Sequence, residues 1–259
     1  MKVTPYKDVD EILRTLSQGL VKIFGKKLIG FYLTGSLSCG DFHPESSDID
    51  LLAVLETLPS EEKLELVKRL HLQVEEKYKK WAKRIECSYI SSDMLKHILP
   101  PPVPRPYIGE GIFYPKALYG NEWLINNYLL YKHGIALIGP DTKKLLQPIN
   151  IKDVQKACIR DLVKEWKPKM ADPTYLRNSH YQSYVVLNLC RILYTVLCGT
   201  TASKKDSAAW VKNEFAPQWR DLIQTAENWK YGTEMNLQEE TVAFIQFVTD
   251  TVQKKHLEP

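Results

Sequence analysis

Asp48 and Asp50 flank Ile49 at the head of the apolar run DIDLLAVL. On an extended strand, residues two apart project from the same face, so both carboxylates point one way while Ile49 points the other. Like charges this close repel strongly unless a cation lies between them. Magnesium, a hard ion that takes oxygen ligands and shares its shell with phosphates, suits that role. Upstream, Gly35 and Ser36 follow the strand-like run LIGFYLTG and precede a second glycine, Gly40. A turn of this kind exposes backbone N–H groups and a hydroxyl to an anion at close range. Glu86, between Ile85 and Cys87, adds a carboxylate to another strand-like run, RIECSYIS. If that strand pairs beside DIDLLAVL, Glu86 faces the two aspartates and serves as a metal ligand or a general base. Taken singly, a Gly-Ser turn, a D-x-D and an edge-strand Glu are common features of loops and solvated edges. In this order they point to a metal–nucleotide site.

These residues need a scaffold of alternating helices and strands. DVDEILRTLSQGLVKIFG carries Val9, Ile12, Leu13, Leu16, Leu20 and Ile23 at helical spacing, and LIGFYLTG follows as a strand. DIDLLAVL is a second strand, SEEKLELVKRLHLQVEEKYKKW an amphipathic helix opened by Ser60, and RIECSYIS a third strand. Strands separated by helices imply a mixed sheet with helices packed on it. LPPPVPRP, residues 99–106, reads as an irregular or polyproline crossing. A helix over 121–133 and the turn GPD at Gly139 lead to Pro148, where the pattern changes. Five helical stretches follow, at 151–166, 180–198, 203–215, 218–231 and 238–256, without a convincing strand. The expected division is therefore residues 1–150 and an all-α bundle over 151–259.

Composition narrows the class. At 259 residues, two domains each with its own core are expected. A net charge of +4, spread without a basic tail, weakens a nucleic-acid reading, and no nucleic-acid partner is expected. No apolar run is long enough for a membrane span, and MKVTPYKDVDEIL lacks the apolar stretch of a signal peptide, so the expected location is the cytoplasm. The five cysteines form no C-x-x-C pair and read as reduced, structural thiols. The histidines show no metal-ligand spacing.

GSLSCG followed by SDIDLL resembles the signature of the nucleotidyltransferase superfamily, whose members transfer a nucleoside monophosphate from a triphosphate to a hydroxyl. GIALIGPDTKKLLQPI resembles the interdomain linker of the streptomycin/spectinomycin (aminoglycoside (3'')(9)) adenylyltransferases. VVLNLCRILYTVLCGTTASKKDSAAW resembles that family's arginine-bearing helix, glycine and K-D-x-A-A before a tryptophan. The resemblance implies an α/β nucleotidyltransferase domain over 1–150 and a helical bundle over 151–259 that contributes to ATP and acceptor binding. It also implies a magnesium-dependent adenylyl transfer from ATP to an antibiotic hydroxyl, with release of pyrophosphate. Carried over residue by residue, Asp48 and Asp50 hold Mg2+ and Glu86 deprotonates the drug hydroxyl. Gly35, Ser36 and Ser47 meet the triphosphate, Arg191 and Lys205 reach it from the helical domain, and Tyr231, in WKYG, contacts the adenine. Lys204, beside Lys205, leaves the phosphate contact open between the two. Arg191 also stands out on sequence grounds, because it interrupts the apolar run Val185, Val186, Leu189, Ile192, Leu193.

Departures from the family pattern bear on the acceptor. NSHYQSY replaces an acidic D-E-R segment; Asp172 and Arg177 occupy the register of a tryptophan and an acid that accompany streptomycin use, with Trp166 displaced from it. Spectinomycin is therefore expected ahead of streptomycin. Asp172 and Glu110 are candidates for meeting a cationic drug. Tyr107, Phe113 and Tyr114, in PRPYIGEGIFYP, offer flat faces to a sugar ring or pin their loop. The expected partners are ATP and a small antibiotic, the expected assembly a monomer. The alternatives are a nucleotidyltransferase acting on another small molecule, a protein or an RNA, and a non-catalytic nucleotide-binding regulator.

Overall fold

The computed structural model describes residues 2–257 and divides the chain into two units. The first runs to Tyr119 and resumes over Asn126–Pro148; the second comprises Gly120–Ile125 and the chain from Ile149.

In the first unit, α1 (Lys7–Phe24) turns Val9, Ile12, Leu13, Leu16, Leu20 and Phe24 inward, the face that helical periodicity requires. Then come β1 (Leu28–Leu33), α2 (Gly35–Cys39), β2 (Ile49–Leu55), α3 (Glu61–Lys77) and β3 (Ile85–Ser91). A hairpin, β4 (Arg105–Gly109) and β5 (Ile112–Ala117), precedes α4 (Trp123–His133), which begins in the second unit, β6 (Ile135–Ile138) and α5 (Thr142–Leu145). The six strands lie in the order β5-β4-β3-β2-β1-β6. Only β2 and β3 pair in parallel. A parallel pair needs a crossover, and α3 supplies it. Ile49, Leu51, Ala53, Ile85, Cys87 and Tyr89 from this pair are buried in the core with the inner face of α1.

The structure departs from the sequence expectations in four places. GSLSC is a short helix rather than an open turn, with its Gly40 C-cap at φ 76°. The aromatic segment after the prolines is the β4–β5 hairpin rather than a loop. Glu110 and Gly111, both at positive φ (54° and 73°), form its two-residue turn. Such a turn follows the right-handed twist of the strands, and Glu is an unusual occupant, which hid it. Residues 135–138, within the expected linker, form β6 at the sheet edge. Asp48 lies just before β2, which begins at Ile49.

The second unit is helical. α6 (Ile151–Asp161) continues as a wider turn over Leu162–Trp166, and α8 (Lys204–Trp210) does likewise over Val211–Phe215. α7 (Ser179–Cys198) packs against α6, α8, α9 (Arg220–Asn228) and α10 (Gln238–Leu257). Along α7, Val185, Val186, Leu189, Ile192 and Leu193 are buried, as their spacing requires. Asn150, Asn178 and Ser203 cap α6, α7 and α8 by accepting from the N–H groups of Lys152, His180 and Asp206.

Candidate active site

The first unit brings three of the expected side chains, Asp48, Asp50 and Glu86, close together. In the parallel register of β2 and β3, Asp50 pairs with Glu86. Asp48, in the loop just before β2, lies near enough for its charge to act on Glu86. Gly35 closes the site from the β1 side, with φ 62°, and a Cβ there would lie 2.5 Å from Cγ and 2.8 Å from Cβ of Asp50. Only glycine lets the backbone sit against that carboxylate. Thr34 N–H donates to the Asp50 carbonyl at 2.9 Å, tying the start of α2 to β2. Ser36 is half-buried in the first turn of α2, where backbone N–H groups have no intrahelical acceptor. Ser47 accepts from His43 N–H at 3.0 Å through its hydroxyl.

Electrostatics mark Glu86 as the unusual group. Burial, reinforced by the charges of Asp50, Asp48 and Glu110, pushes its carboxyl up to about 8, against a hydrogen bond from Tyr107 that pulls it down. Carboxylates kept in proximity at this cost fit a site completed by a cation. Among the described residues, no three His, Cys, Asp or Glu side chains are grouped closely enough to hold a metal alone. Carboxylate oxygens are donors of the kind a hard cation takes, with phosphate oxygens completing its shell.

Of two further residues in this neighbourhood, Arg84 escaped the sequence reading and Tyr107 was read there only as an aromatic face for a sugar ring or a pin for its loop. Arg84 is buried, stacks on Trp81 with its guanidinium 4.7 Å from the ring centre, and lies 3.7 Å from an Asp48 oxygen through Nε. It also donates to the Pro44 carbonyl at 3.0 Å and to that of Ser47, so it fixes the loop that delivers Asp48. Its sequence signal was a basic residue two before Glu86, but adjacent Lys83 is exposed and nothing local separates the two. Tyr107 reaches Glu86 from β4.

In the second unit, Arg191 is half-buried on α7 and donates from Nη2 to Asn188 Oδ1 at 2.8 Å. Lys204 and Lys205 open α8; Lys205 is exposed, whereas Lys204 is half-buried with its Nζ 4.8 Å from the Tyr184 ring centre. Tyr231 is exposed and meets His180 and Trp229, ring centres 5.4 and 5.0 Å away. Asp172 caps the short turn Pro173–Arg177, accepting from Thr174 N–H. Trp166 is buried and donates from Nε1 to Asp161 Oδ2 at 2.8 Å, a core contact rather than a surface for a ligand. Burial raises Asp161 to about 6, opposed by that bond.

Comparison with known proteins finds a match for each part of the chain. Residues 13–99 match the family profile of the nucleotidyltransferase domain. Residues 144–254 match that of the aminoglycoside adenylyltransferase C-terminal domain. The chain is thus similar to a nucleotidyltransferase domain in its first part and to an aminoglycoside adenylyltransferase C-terminal domain in its second. The two matches make it a nucleotidyltransferase by class and support adenylyl transfer to an aminoglycoside-type acceptor. It is 22% identical to the spectinomycin 9-adenylyltransferase of Campylobacter jejuni, over 95% of this chain and 93% of that one. It is 27% identical to the aminoglycoside (3'') (9) adenylyltransferase of Rhizobium radiobacter, over 45% of this chain and 40% of the relative. The fold matches the crystal structure of spectinomycin adenyltransferase from Enterococcus faecialis with ATP and spectinomycin, with TM-score 0.72 and 20% identity over 94% of this chain and 99% of the other. Among the described residues, no helix is long and apolar enough to cross a membrane.

Proposed function

We propose that this protein transfers the adenylyl group of ATP to a hydroxyl of spectinomycin, in preference to streptomycin, and releases pyrophosphate. The observation that carries the reading is the placement of Glu86 in register with Asp50, with Gly35 pressed against that aspartate. Glu86 takes the proton of the acceptor hydroxyl as its oxygen bonds to the α-phosphorus; the bond to the β-phosphate oxygen breaks and pyrophosphate leaves. Asp48 and Asp50 are the residues that would hold Mg2+, which offsets phosphate charge when bound. In the nucleotide-free chain Glu86 is largely protonated at neutral pH, its carboxyl lying at about 8. Burial is the larger cause of that rise; positive charge beside Asp48 and Asp50 offsets their added repulsion and favours the ionised form a base needs. Ser36 and Ser47 are assigned to the triphosphate, and Arg191, Lys205 and Tyr231 to the nucleotide, by family resemblance.

Spectinomycin is favoured for two reasons. The relative matched over most of the chain and the solved structure both bear its name. Trp166 and Asp172, the residues nearest the streptomycin-associated positions, are engaged in a core contact and a cap. The proposed setting is the cytoplasm, where ATP is abundant, and the proposed working form is a monomer. Pyrophosphate release is measured with ATP, magnesium and a panel of aminoglycosides, followed by growth of a susceptible bacterium expressing the chain on each drug. Spectinomycin-dependent release that Glu86→Gln lowers about 100-fold or more is expected. Wild-type turnover in Glu86→Gln removes the base assignment; protection against streptomycin alone reverses the specificity.

A further inference from the structure

We propose that Tyr107 is a positioning residue for the reaction: its hydroxyl donates to Glu86 and holds that carboxylate in the orientation from which it takes the acceptor proton. The inference rests on the reading of Glu86 as the base. It begins from the antiparallel ladder between β3 and β4, in which Tyr107 pairs with Ser88 and Ile108 with Cys87. One step along the ladder, Gly109 comes level with Glu86. Residues 86 and 88 share a sheet face, and so do 107 and 109 opposite them. The Tyr107 ring leans along β4 over Gly109: a Cβ at residue 109 would lie 2.6 Å from Cζ and 2.7 Å from Cε1 of Tyr107, and nearer still to the hydroxyl. The bare backbone of Gly109 is the space through which the phenol reaches the carboxylate.

Two further contacts hold the ring. Tyr114, its partner on β5, stacks on it at 5.9 Å between centres and 23° between planes. On β4, the Arg105 guanidinium lies 5.2 Å from the ring centre. Arg105 is itself buried and anchored by donating to the carbonyls of Ala117 and Leu118 at 2.9 and 2.7 Å. The phenol thus arrives at Glu86 with its position already set by three neighbours. A carboxylate has two oxygens and several lone pairs, and a donor on one restricts which of the others meets the substrate. The bond also lowers the basicity of Glu86, so its value to the reaction lies in orientation, which acts on turnover rather than on substrate binding.

The test is a double-mutant cycle in the full chain, with kcat and both KM values measured. Tyr107→Phe, which keeps the ring and its stack, is expected to lower kcat about 10- to 100-fold with the KM values for ATP and acceptor within about twofold. In a Glu86→Gln background the same change is expected to alter kcat by less than about twofold, because the residue acts only through Glu86. Gly109→Ala displaces the hydroxyl while leaving Tyr107 intact; it should reproduce the kcat loss, and it carries the cycle if Tyr107→Phe does not fold. Wild-type kcat in Tyr107→Phe, or an equal loss in both backgrounds, overturns the proposal while leaving Glu86 as the base. Wild-type turnover in Glu86→Gln overturns the base reading itself, and the positioning role with it.

Discussion

Gly35→Ala separates the backbone demand of this site from its geometry. Two glycines bracket α2, both at positive φ: Gly35 at 62° and Gly40 at 76°. Alanine at either position carries the left-handed penalty of about 1–2 kcal/mol. At Gly40 that is the whole cost, since nothing lies within 4 Å of an added Cβ. At Gly35 the methyl also lies 2.5 Å from Asp50 Cγ, whereas carbon atoms in contact sit about 3.5–4.0 Å apart. The carboxylate must move by about 1 Å, because the strand that carries it cannot: Ile49 and Leu51 on either side are buried, and the Asp50 carbonyl is bonded to Thr34. A displacement of that size costs about 100-fold in rate where geometry is catalytic.

Gly40→Ala should therefore melt about 2–8 °C below wild type, the shift expected of 1–2 kcal/mol in a chain of this size, and Gly35→Ala at least as far below. Only Gly35→Ala should lose roughly two orders of magnitude in pyrophosphate release and weaken the calorimetric binding of magnesium–ATP. Equal turnover in the two variants, whether high or low, would refute the claim that Asp50 needs a bare backbone beside it.

Two buried ionisable groups give pH signatures of opposite sign. His71 is buried with Nε2 at 2.7 Å from the Tyr89 hydroxyl, and burial lowers its pKa to about 3, so unfolded chains bind its proton first and stability is lost as pH falls below 6.5. At pH 5 the loss is about 2 kcal/mol, read from urea unfolding at pH 7 and 5; His71→Gln should remove this part of the slope, and an unchanged slope contradicts the assignment. Glu86 acts the other way: with its folded value raised to about 8, the native chain holds the proton longer, and metal-free stability falls as pH climbs from about 5 to 8. Glu86→Gln in EDTA should flatten that descent, and a descent of wild-type steepness would show that the carboxyl is not strained by its neighbours.

What was legible in the sequence follows from the range over which each feature is determined. The helical face of α1 and the buried positions of β2 and β3 depend on local periodicity, and they appear as the spacing of Val9 to Leu20 and the runs around Asp50 and Glu86 required. The hairpin and β6 were illegible because pairing partners, not their own residues, make them strands: β5 contains Pro115 and is mostly exposed, and β6 is only Ile135–Ile138. Glu110 in the hairpin turn removed the remaining cue.

The same distinction governs the chemistry. Asp48 and Asp50 stood out by their spacing, although only Asp50 lies in β2 and the loop before the strand positions Asp48. Glu86 needed one further fact, that β3 lies parallel beside β2, which α3 makes possible but does not specify. Arg84 and Tyr107 needed the register of two more pairings and the absence of a side chain at Gly109, facts that no window of sequence contains. The carboxylates proposed to hold a metal are thus more visible in sequence than the groups around the proposed base and the loop before β2. Acceptor preference is less visible still, because it rests on a few polar contacts, each worth roughly 1–3 kcal/mol when left unpaired. Trp166 illustrates why: near the streptomycin-associated register in sequence, it is committed to Asp161 in the core, and proximity along the chain says nothing of which face the indole serves.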